Sequence, residues 1–358
     1  MATRALDPDR LKEYSLRLFG YMNGATVSLM VCLGDRLGLY AALAELGEVS
    51  SQELADQTGL DERWLREWLY CQGASGLLES RDAGRFCLSS EGAAVLVDEG
   101  HPANGIGILS QLPDLARTLE RLPEAFRTGI GLSYDELGAD GARGIERGLA
   151  PWFRSLLVPV ALPKLEGVCE KLRAGASVAD VGCGAGVALL EMAKAFPNSE
   201  FHGYDISKHA LARAQRNRSA ASVQNVSFHD AEAEPLPTDH RFDFVTTFDC
   251  LHDMTHPQDM IRAVRDSLAA DGTWLIADIK AKPSYAENVE QNPMAAMMYG
   301  ISVMVCMSSS LSAPGGAGLG TLGLHEGLLL EWTQAAGFTH FQPIDFGHPA
   351  NAFFVVRP

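Results

Sequence analysis

Apolar positions recur at helical spacing from about Asn23 to Leu46 (Val27, Met30, Val31, Leu33, Leu37, Leu39, Leu43), which predicts one or two helices. Ser50 with Glu53 three residues on forms a capping box, and Gly59 stops the short helix that follows. Asp61 then caps a second helix that sets Trp64, Leu65, Trp68 and Leu69 on one face. Two short strands, Leu77–Ser80 and Arg85–Leu88, follow with a turn at Arg81–Gly84 between them. Helix, short helix, helix and a two-stranded wing make a winged-helix pattern. Residues 101–165 read as a helical connector punctuated by Gly and Pro, with helices at Leu109–Leu122 and Ala142–Val160.

From Ser177 the rhythm changes. Strands at Ser177–Val181, Glu200–Tyr204, Val226–His229, Phe242–Phe248 and Thr273–Ile279 alternate with helical stretches at 188–196, 208–219 and 260–270. That alternation specifies an α/β domain with a parallel sheet and helices on both faces. A helix at Leu328–Ala336 ends at Gly337, and strands near Phe341–Ile344 and Ala352–Val356 close the chain. Ser308–Gly320 reads as a mobile Ser/Gly loop. The domains expected are therefore 1–100 (winged helix), 101–165 (connector) and 166–358 (α/β), with 283–323 as an insertion forming a lid.

Composition narrows the partners. A net charge of −16 and pI near 5.0 disfavour nucleic acid and anionic membrane. Between Gly34 and Gly100, thirteen acidic side chains stand against five arginines and no lysine, so the winged helix is expected to serve as a dimerisation and lid module rather than to bind DNA. Seven scattered cysteines without C-x-x-C spacing fit free thiols in a reducing cytosol. The N-terminus has no apolar signal core, and the apolar run Met294–Met307 is too short to span a bilayer, so a soluble cytoplasmic protein is expected.

The first strand of the α/β region ends in Asp180-Val-Gly-Cys-Gly-Ala-Gly186. Glycines there let the backbone turn tightly and approach a ligand beyond the strand's carboxyl end. Val187 stands where G-x-G-x-x-G would need glycine, which removes the dinucleotide reading. Asp205 at the end of the second strand can accept both ribose hydroxyls of a nucleoside. Asp230, ending the third strand before Ala231, can accept the exocyclic amine of adenine.

With these residues in place, Ser177–Ile279 resembles the core of the class I S-adenosylmethionine-dependent methyltransferases: a Rossmann-like, seven-stranded domain. The resemblance implies that Asp180, Gly182 and Gly184 meet the adenosyl ligand and Asp205 the ribose. It places adenine near Ile206, Asp230 and Ala231, and the methionine part near Phe248 and Asp249. The winged-helix region extends the likeness to caffeate-type O-methyltransferases and related bacterial proteins, which implies a homodimer joined through the N-terminal domains. The long Ser/Gly/Met segment at 294–323 departs from the plant enzymes of that group.

His252-Asp253, after the fourth strand, resembles the place where those enzymes carry a general base. Phenols and thiols attack a methyl carbon far better once deprotonated, and a histidine of ordinary pKa can take that proton at neutral pH. Asp253, or a more distant carboxylate, would fix the imidazole tautomer. His252 and His256 are spaced i,i+4, but no third ligand accompanies them, and no metal is expected. Cys250 fits strand-end packing better than a nucleophile. Met298 and Tyr299 in the Met-rich stretch, with Tyr21 and Met22 from the N-terminal domain, are candidates for the acceptor pocket, although that stretch fits a plain core equally well. The function expected is methyl transfer to a hydroxyl or thiol of a small molecule. The alternatives are a sulfur, nitrogen or carbon acceptor needing no base, and a winged-helix regulator that uses the core as a ligand sensor.

Overall fold

The computed structural model describes residues 6–80 and 84–358. The chain divides into two compact units, Met1–Pro113 and Asp114–Pro358. The expected turn at 81–83 and the first five residues of the N-terminal stretch lie outside the described residues.

In the first unit, α1 (Pro8–Arg36) starts fifteen residues earlier than the periodicity marks. Asp7 caps it, its carboxylate accepting the Asp9 and Arg10 amides at 3.0 and 3.2 Å. α2 (Leu39–Leu46), β1 (Val49–Ser50), α3 (Ser51–Thr58), α4 (Glu62–Ala74), β2 (Glu79–Ser80), β3 (Arg85–Cys87), α5 (Ser90–Leu96) and α6 (Ile106–Leu109) follow. The strands form an antiparallel sheet in the order β1-β3-β2. Both predicted caps form: Ser50 makes the capping box with Glu53, and Asp61 accepts the Arg63 and Trp64 amides. Leu65, Trp68 and Leu69 are buried with Tyr40 and Leu43, but Trp64 is 81% exposed rather than on their face. Only the stripe that meets Tyr40 and Leu54 pays for burial, and Trp64 lies off it. α1 leaves Leu11, Tyr14, Leu18 and Phe19 exposed. It is also the one helix among the described residues long and apolar enough to cross a membrane, which the run at 294–307 is not.

The second unit takes in most of the expected connector. α7 (Leu112–Thr118) is followed by α8 (Leu122–Thr128), a 3-10 turn at Tyr134–Leu137, α9 (Gly138–Trp152) and a wide π-type helix, Phe153–Ala161. The predicted single helix 109–122 is broken, with Pro113 and Pro123 each in a first turn, where a missing N–H costs nothing. After α10 (Val168–Ala174) the alternation runs β4 (Ser177–Val181), α11 (Val187–Ala195), β5 (Glu200–Asp205), α12 (Lys208–Ala221), β6 (Val226–Asp230), β7 (Phe242–Phe248), α13 (Pro257–Ser267) and β8 (Leu268–Ile279). Then come α14 (Tyr285–Gln291), α15 (Ala295–Met304), α16 (Cys306–Ser310), α17 (Glu326–Ala335), β9 (His340–Ile344) and β10 (Asn351–Arg357).

The seven strands lie in the order β6-β5-β4-β7-β8-β10-β9. β6 through β8 pair in parallel, while β10 runs antiparallel between β8 and β9. Pro343 sits on the edge strand β9, where its missing donor breaks no ladder. Alternation along the strands feeds two cores: Val178, Phe244 and Leu275 on one face, Val181, Val245, Trp274 and Ile276 on the other. Strand order reverses at β4, so β4 and β7 part beyond their carboxyl ends and leave a crevice there.

The Ser/Gly stretch is not a mobile loop. Ser308, Ser309 and Ser310 are buried. Ser310 donates its hydroxyl to the Met254 carbonyl and accepts from the Gly318 amide, and Ser308 accepts from the Leu132 amide. These hydroxyls satisfy backbone groups that would otherwise be buried unpaired, which lets a polar sequence pack. Glycine permits the contact: a Cβ on Gly131 would stand 2.0 Å from the Ser308 carbonyl oxygen.

Candidate active site

A cavity of about 480 Å³ opens at the crevice, within the range of small-molecule sites. Its floor is the glycine loop, where Gly182, Gly184 and Gly186 all hold φ in the left-handed region. Gly182 is closed in, since a Cβ there would lie 2.7 Å from Cβ of Cys250, whereas a Cβ on Gly184 would project into open space. The loop thus leaves bare backbone facing the cavity, a cradle suited to a flat ligand approaching closely. The Tyr204 carbonyl accepts the Gly182 and Cys183 amides, and Asp205 accepts the Gly184 amide at 2.7 Å and the Ser207 amide at 2.8 Å.

Asp180, Gly182, Gly184, Asp205, Ile206, Ala231, Phe248 and Asp249 all line the cavity as expected. Asp230 does not; its carboxylate turns to the Glu232 amide at 3.1 Å, leaving Ala231 as the wall. The sites of the ribose and adenine readings are therefore continuous along the ends of β5 and β6, with one acid rather than two exposed to a ligand.

Burial governs the acids. It raises Asp180 to about 7 although the Thr246 hydroxyl donates to it at 2.7 Å. Burial, then the charge of Asp278, raises Asp249 to about 7; Asn351 donates to its carboxylate, and its backbone is left-handed (φ 51°). Burial likewise lifts Asp205 above the usual carboxylate range. Burial also pushes the Cys250 thiol well up, and its Sγ donates to the Val181 carbonyl at 3.2 Å, a packing role.

The His-Asp pair divides. His252 is buried, with Nδ1 2.6 Å from Asp278 Oδ1, and it is not part of the cavity wall. Burial alone would lower its pKa, but the charge and hydrogen bond of Asp278, together with a hydrogen bond that the ring donates to the Cys306 sulfur, hold it well above the ordinary histidine value. The carboxylate that orients the imidazole is thus Asp278, one strand away on β8, not Asp253. Asp253 itself lines the cavity, and burial raises it to about 7. His256 is exposed and lines the cavity.

The acceptor candidates fare differently. Met298 is buried against Ala295 and Leu322, Tyr299 stacks near Tyr285 at 5.8 Å, and neither lines the cavity. The plain-core reading of the Met-rich stretch holds for them. Tyr21 and Met22 are exposed on α1 of the other unit. In place of the methionines, the same insertion contributes Ser309 and Ser312. Sequence reasoning missed Tyr134, which lines the cavity from the turn after α8. Burial and the charge of Asp253 push its phenol well above the usual value. Asp135 fastens that turn by accepting from the Ser207 hydroxyl at 2.8 Å. No periodicity marks a single tyrosine in a connector.

Comparison with known proteins bears on the same segments. Residues 172–334 match the family model described as a methyltransferase domain, and residues 25–98 the Rv2258c-like winged HTH domain. A ubiquinone biosynthesis O-methyltransferase from Albidiferax ferrireducens is 30% identical over 127 residues, 34% of this chain and 48% of that protein, so the chain spans about half its length. A 3-hydroxy-5-methyl-1-naphthoate 3-O-methyltransferase from Streptomyces sahachiroi is 27% identical over 278 residues, 75% of this chain and 76% of the other. The structure of human N-acetylserotonin methyltransferase in complex with SAM superposes with a TM-score of 0.69 at 17% identity, covering 100% of this chain and 99% of that one. At that identity the likeness speaks for the fold.

Proposed function

The chain belongs to the class I S-adenosylmethionine-dependent methyltransferases that carry an N-terminal winged-helix domain, and from that premise we propose that it methylates a hydroxyl group of a small molecule. The observation that carries the reading is the convergence of the bare glycine loop and Asp205 on one cavity, with a buried histidine–carboxylate pair adjoining its wall at Asp249 and Asp253. When bound, S-adenosylmethionine supplies an electrophilic methyl group on a sulfonium. Gly182 and Gly184 would hold it by their backbone, Asp205 by accepting the ribose hydroxyls, and Ile206 and Ala231 would flank the adenine. Asp180, Asp249 and Phe248 would surround the methionine part.

The chain's own task is to orient the acceptor oxygen for in-line attack and to remove its proton. In this proposal His252 is the base. Asp278 holds Nδ1, so the proton would be exchanged at Nε2, which must first give up its hydrogen bond to Cys306. The raised pKa favours the protonated ring, so the wild-type rate should climb as pH rises through a value above that of an ordinary histidine. His252→Gln should lower kcat by about 10²–10⁴-fold and flatten that climb, with S-adenosylmethionine affinity unchanged in calorimetry. Turnover of the variant near wild type at high pH would remove the base and favour a sulfur, nitrogen or carbon acceptor that needs positioning alone. A labelled-methyl screen of small phenols, hydroxy acids, thiols and amines identifies the acceptor.

The exposed apolar side of α1 supports a homodimer through the N-terminal unit, since so much contiguous apolar surface is otherwise costly in water. Sedimentation should give twice the mass of 38.6 kDa, and Leu18→Glu with Phe19→Glu should halve it. A wild-type monomer that instead pellets with lipid vesicles would assign α1 to a membrane. The acidic winged helix supports no role on DNA, and cysteines that form no disulfide among the described residues suit a reducing cytoplasm.

A further inference from the structure

Carboxylates dominate the ionisable side chains that line the cavity, with His256 the one basic residue among them. Glu146, Asp180, Asp205, Asp249, Asp253 and Asp259 face it, and its wall contains no lysine or arginine. Five of these acids are already answered within the protein. Glu146 pairs with Arg213 and Asn217, and Asp259 with Arg262. Asp180 accepts from Thr246, Asp205 from two backbone amides, and Asp249 from Asn351. Asp253 is different: it is 9% exposed, it opens onto the cavity, and no hydrogen bond or ion pair to its carboxylate exists among the described residues.

A buried carboxylate without a partner is expensive, and proteins keep one where a bound molecule completes it. The cofactor leaves that demand open. S-adenosylmethionine bears a sulfonium, an ammonium and a carboxylate, a net charge of one, against a cavity whose acids outnumber it several-fold. Tyr134, whose phenol feels the charge of Asp253, lines the same cavity with Met254, Thr255, Met260 and Ser309. Together these residues combine apolar surface with hydroxyls and one unanswered negative charge.

We infer that the methyl acceptor is a cation, an aromatic or aliphatic hydroxyl compound carrying a protonated amine, and that Asp253 pairs with that amine while the hydroxyl meets the methyl donor. This rests on the methyltransferase reading and adds the acceptor's charge class. An anionic acceptor would enter an acidic cavity with no lysine or arginine to receive it and would be rejected. Such a pairing would reverse the raised pKa of Asp253: a cation favours the ionised carboxylate, so acceptor binding should release a proton near pH 7.

The test uses charge-matched triplets of hydroxylated aromatics and alkanols, each scaffold ending in an ammonium, a methyl or a carboxylate. Binding to the full-length protein saturated with S-adenosylhomocysteine is measured by calorimetry, and turnover with labelled S-adenosylmethionine. The ammonium member of the triplets should bind at least tenfold tighter than the neutral one, and the carboxylate member weakest. Asp253→Asn should reduce the ammonium member to the neutral member's affinity, with the melting temperature not lowered and S-adenosylmethionine affinity within twofold. Equal affinities across charge, preference for the carboxylate, or no binding by any triplet overturns the inference. So does a variant that loses the cofactor instead, which would assign Asp253 to the cofactor's ammonium. Failure of the wild type to bind S-adenosylmethionine at all would overturn the methyltransferase reading itself, a separate result.

Discussion

Asp205→Ala should weaken S-adenosylmethionine binding at least a hundredfold, measured by calorimetry on the full-length protein. Two losses add. The ribose hydroxyls lose their acceptor, and hydrogen bonds to a charged group contribute about 1.5–3 kcal/mol each. The glycine loop also loses its tie, because the carboxylate accepts the Gly184 amide at 2.7 Å. Without it, the left-handed turn at Gly184 has one fewer reason to stay in its ligand-ready form, and binding must order it. Asp205→Asn keeps one oxygen and should lose about tenfold, roughly one hydrogen bond's worth. Stability should change little, since removing a carboxylate that burial already holds above its usual pKa offsets part of the lost bonding. Asp205 is more ionised as pH rises, so wild-type affinity should improve with pH on the acid side and Asp205→Ala should not. A loss of under threefold in Asp205→Ala would mean that the ribose is held elsewhere.

The cofactor half of the site was legible because it is local. Glycines, Asp205 and Ala231 stand within a few residues of strand ends, and strand ends follow from the alternation of apolar runs. The pair proposed to handle the proton was not. Asp278 lies twenty-six residues from His252, inside the apolar run Trp274–Ile279, where it looks like the polar end of a core strand. Its role arises only because β8 lies beside β7, and strand adjacency is not written in the periodicity of either strand. The sequence leaves Asp253 or a more distant carboxylate as the tautomer holder; the distant one, Asp278, takes the role, because consecutive residues in a short 3-10 turn point in different directions. The Met-rich stretch misled for a further reason. Methionine fills a core as readily as it lines a pocket, and which occurs depends on the rotation of α15, set by Leu322 some twenty residues on. The serines of α16 looked like loop because their hydroxyls, once paired to the Met254 carbonyl and the Leu132 and Gly318 amides, bury as apolar side chains do. The strand β10 was expected in place, but its antiparallel sense comes from the connection through β9 and not from its own residues.

Asp278→Asn should destabilise the second unit by about 3–5 kcal/mol, the usual cost of stripping one partner from a buried ion pair. The dependence on pH gives this its signature. His252 has a folded-state pKa above its unfolded value of about 6.5, so its contribution to stability is complete below that value and disappears as pH rises through the folded one. Urea unfolding at pH 6 should therefore reveal most of the loss, and at a pH above the histidine's folded pKa the variant should approach wild type. In Asp278→Asn, burial acts on His252 unopposed and depresses its pKa, so the ring becomes neutral and the rise of activity with pH should move to lower values while the maximal rate falls. Asp278→Asn combined with His252→Gln should recover stability at pH 6, because no charge remains to be buried, yet should recover no activity. Equal destabilisation at both pH values would mean that the contact is an ordinary neutral hydrogen bond. The charge on the imidazole, and with it the proton-accepting role of the pair, would then have to be abandoned.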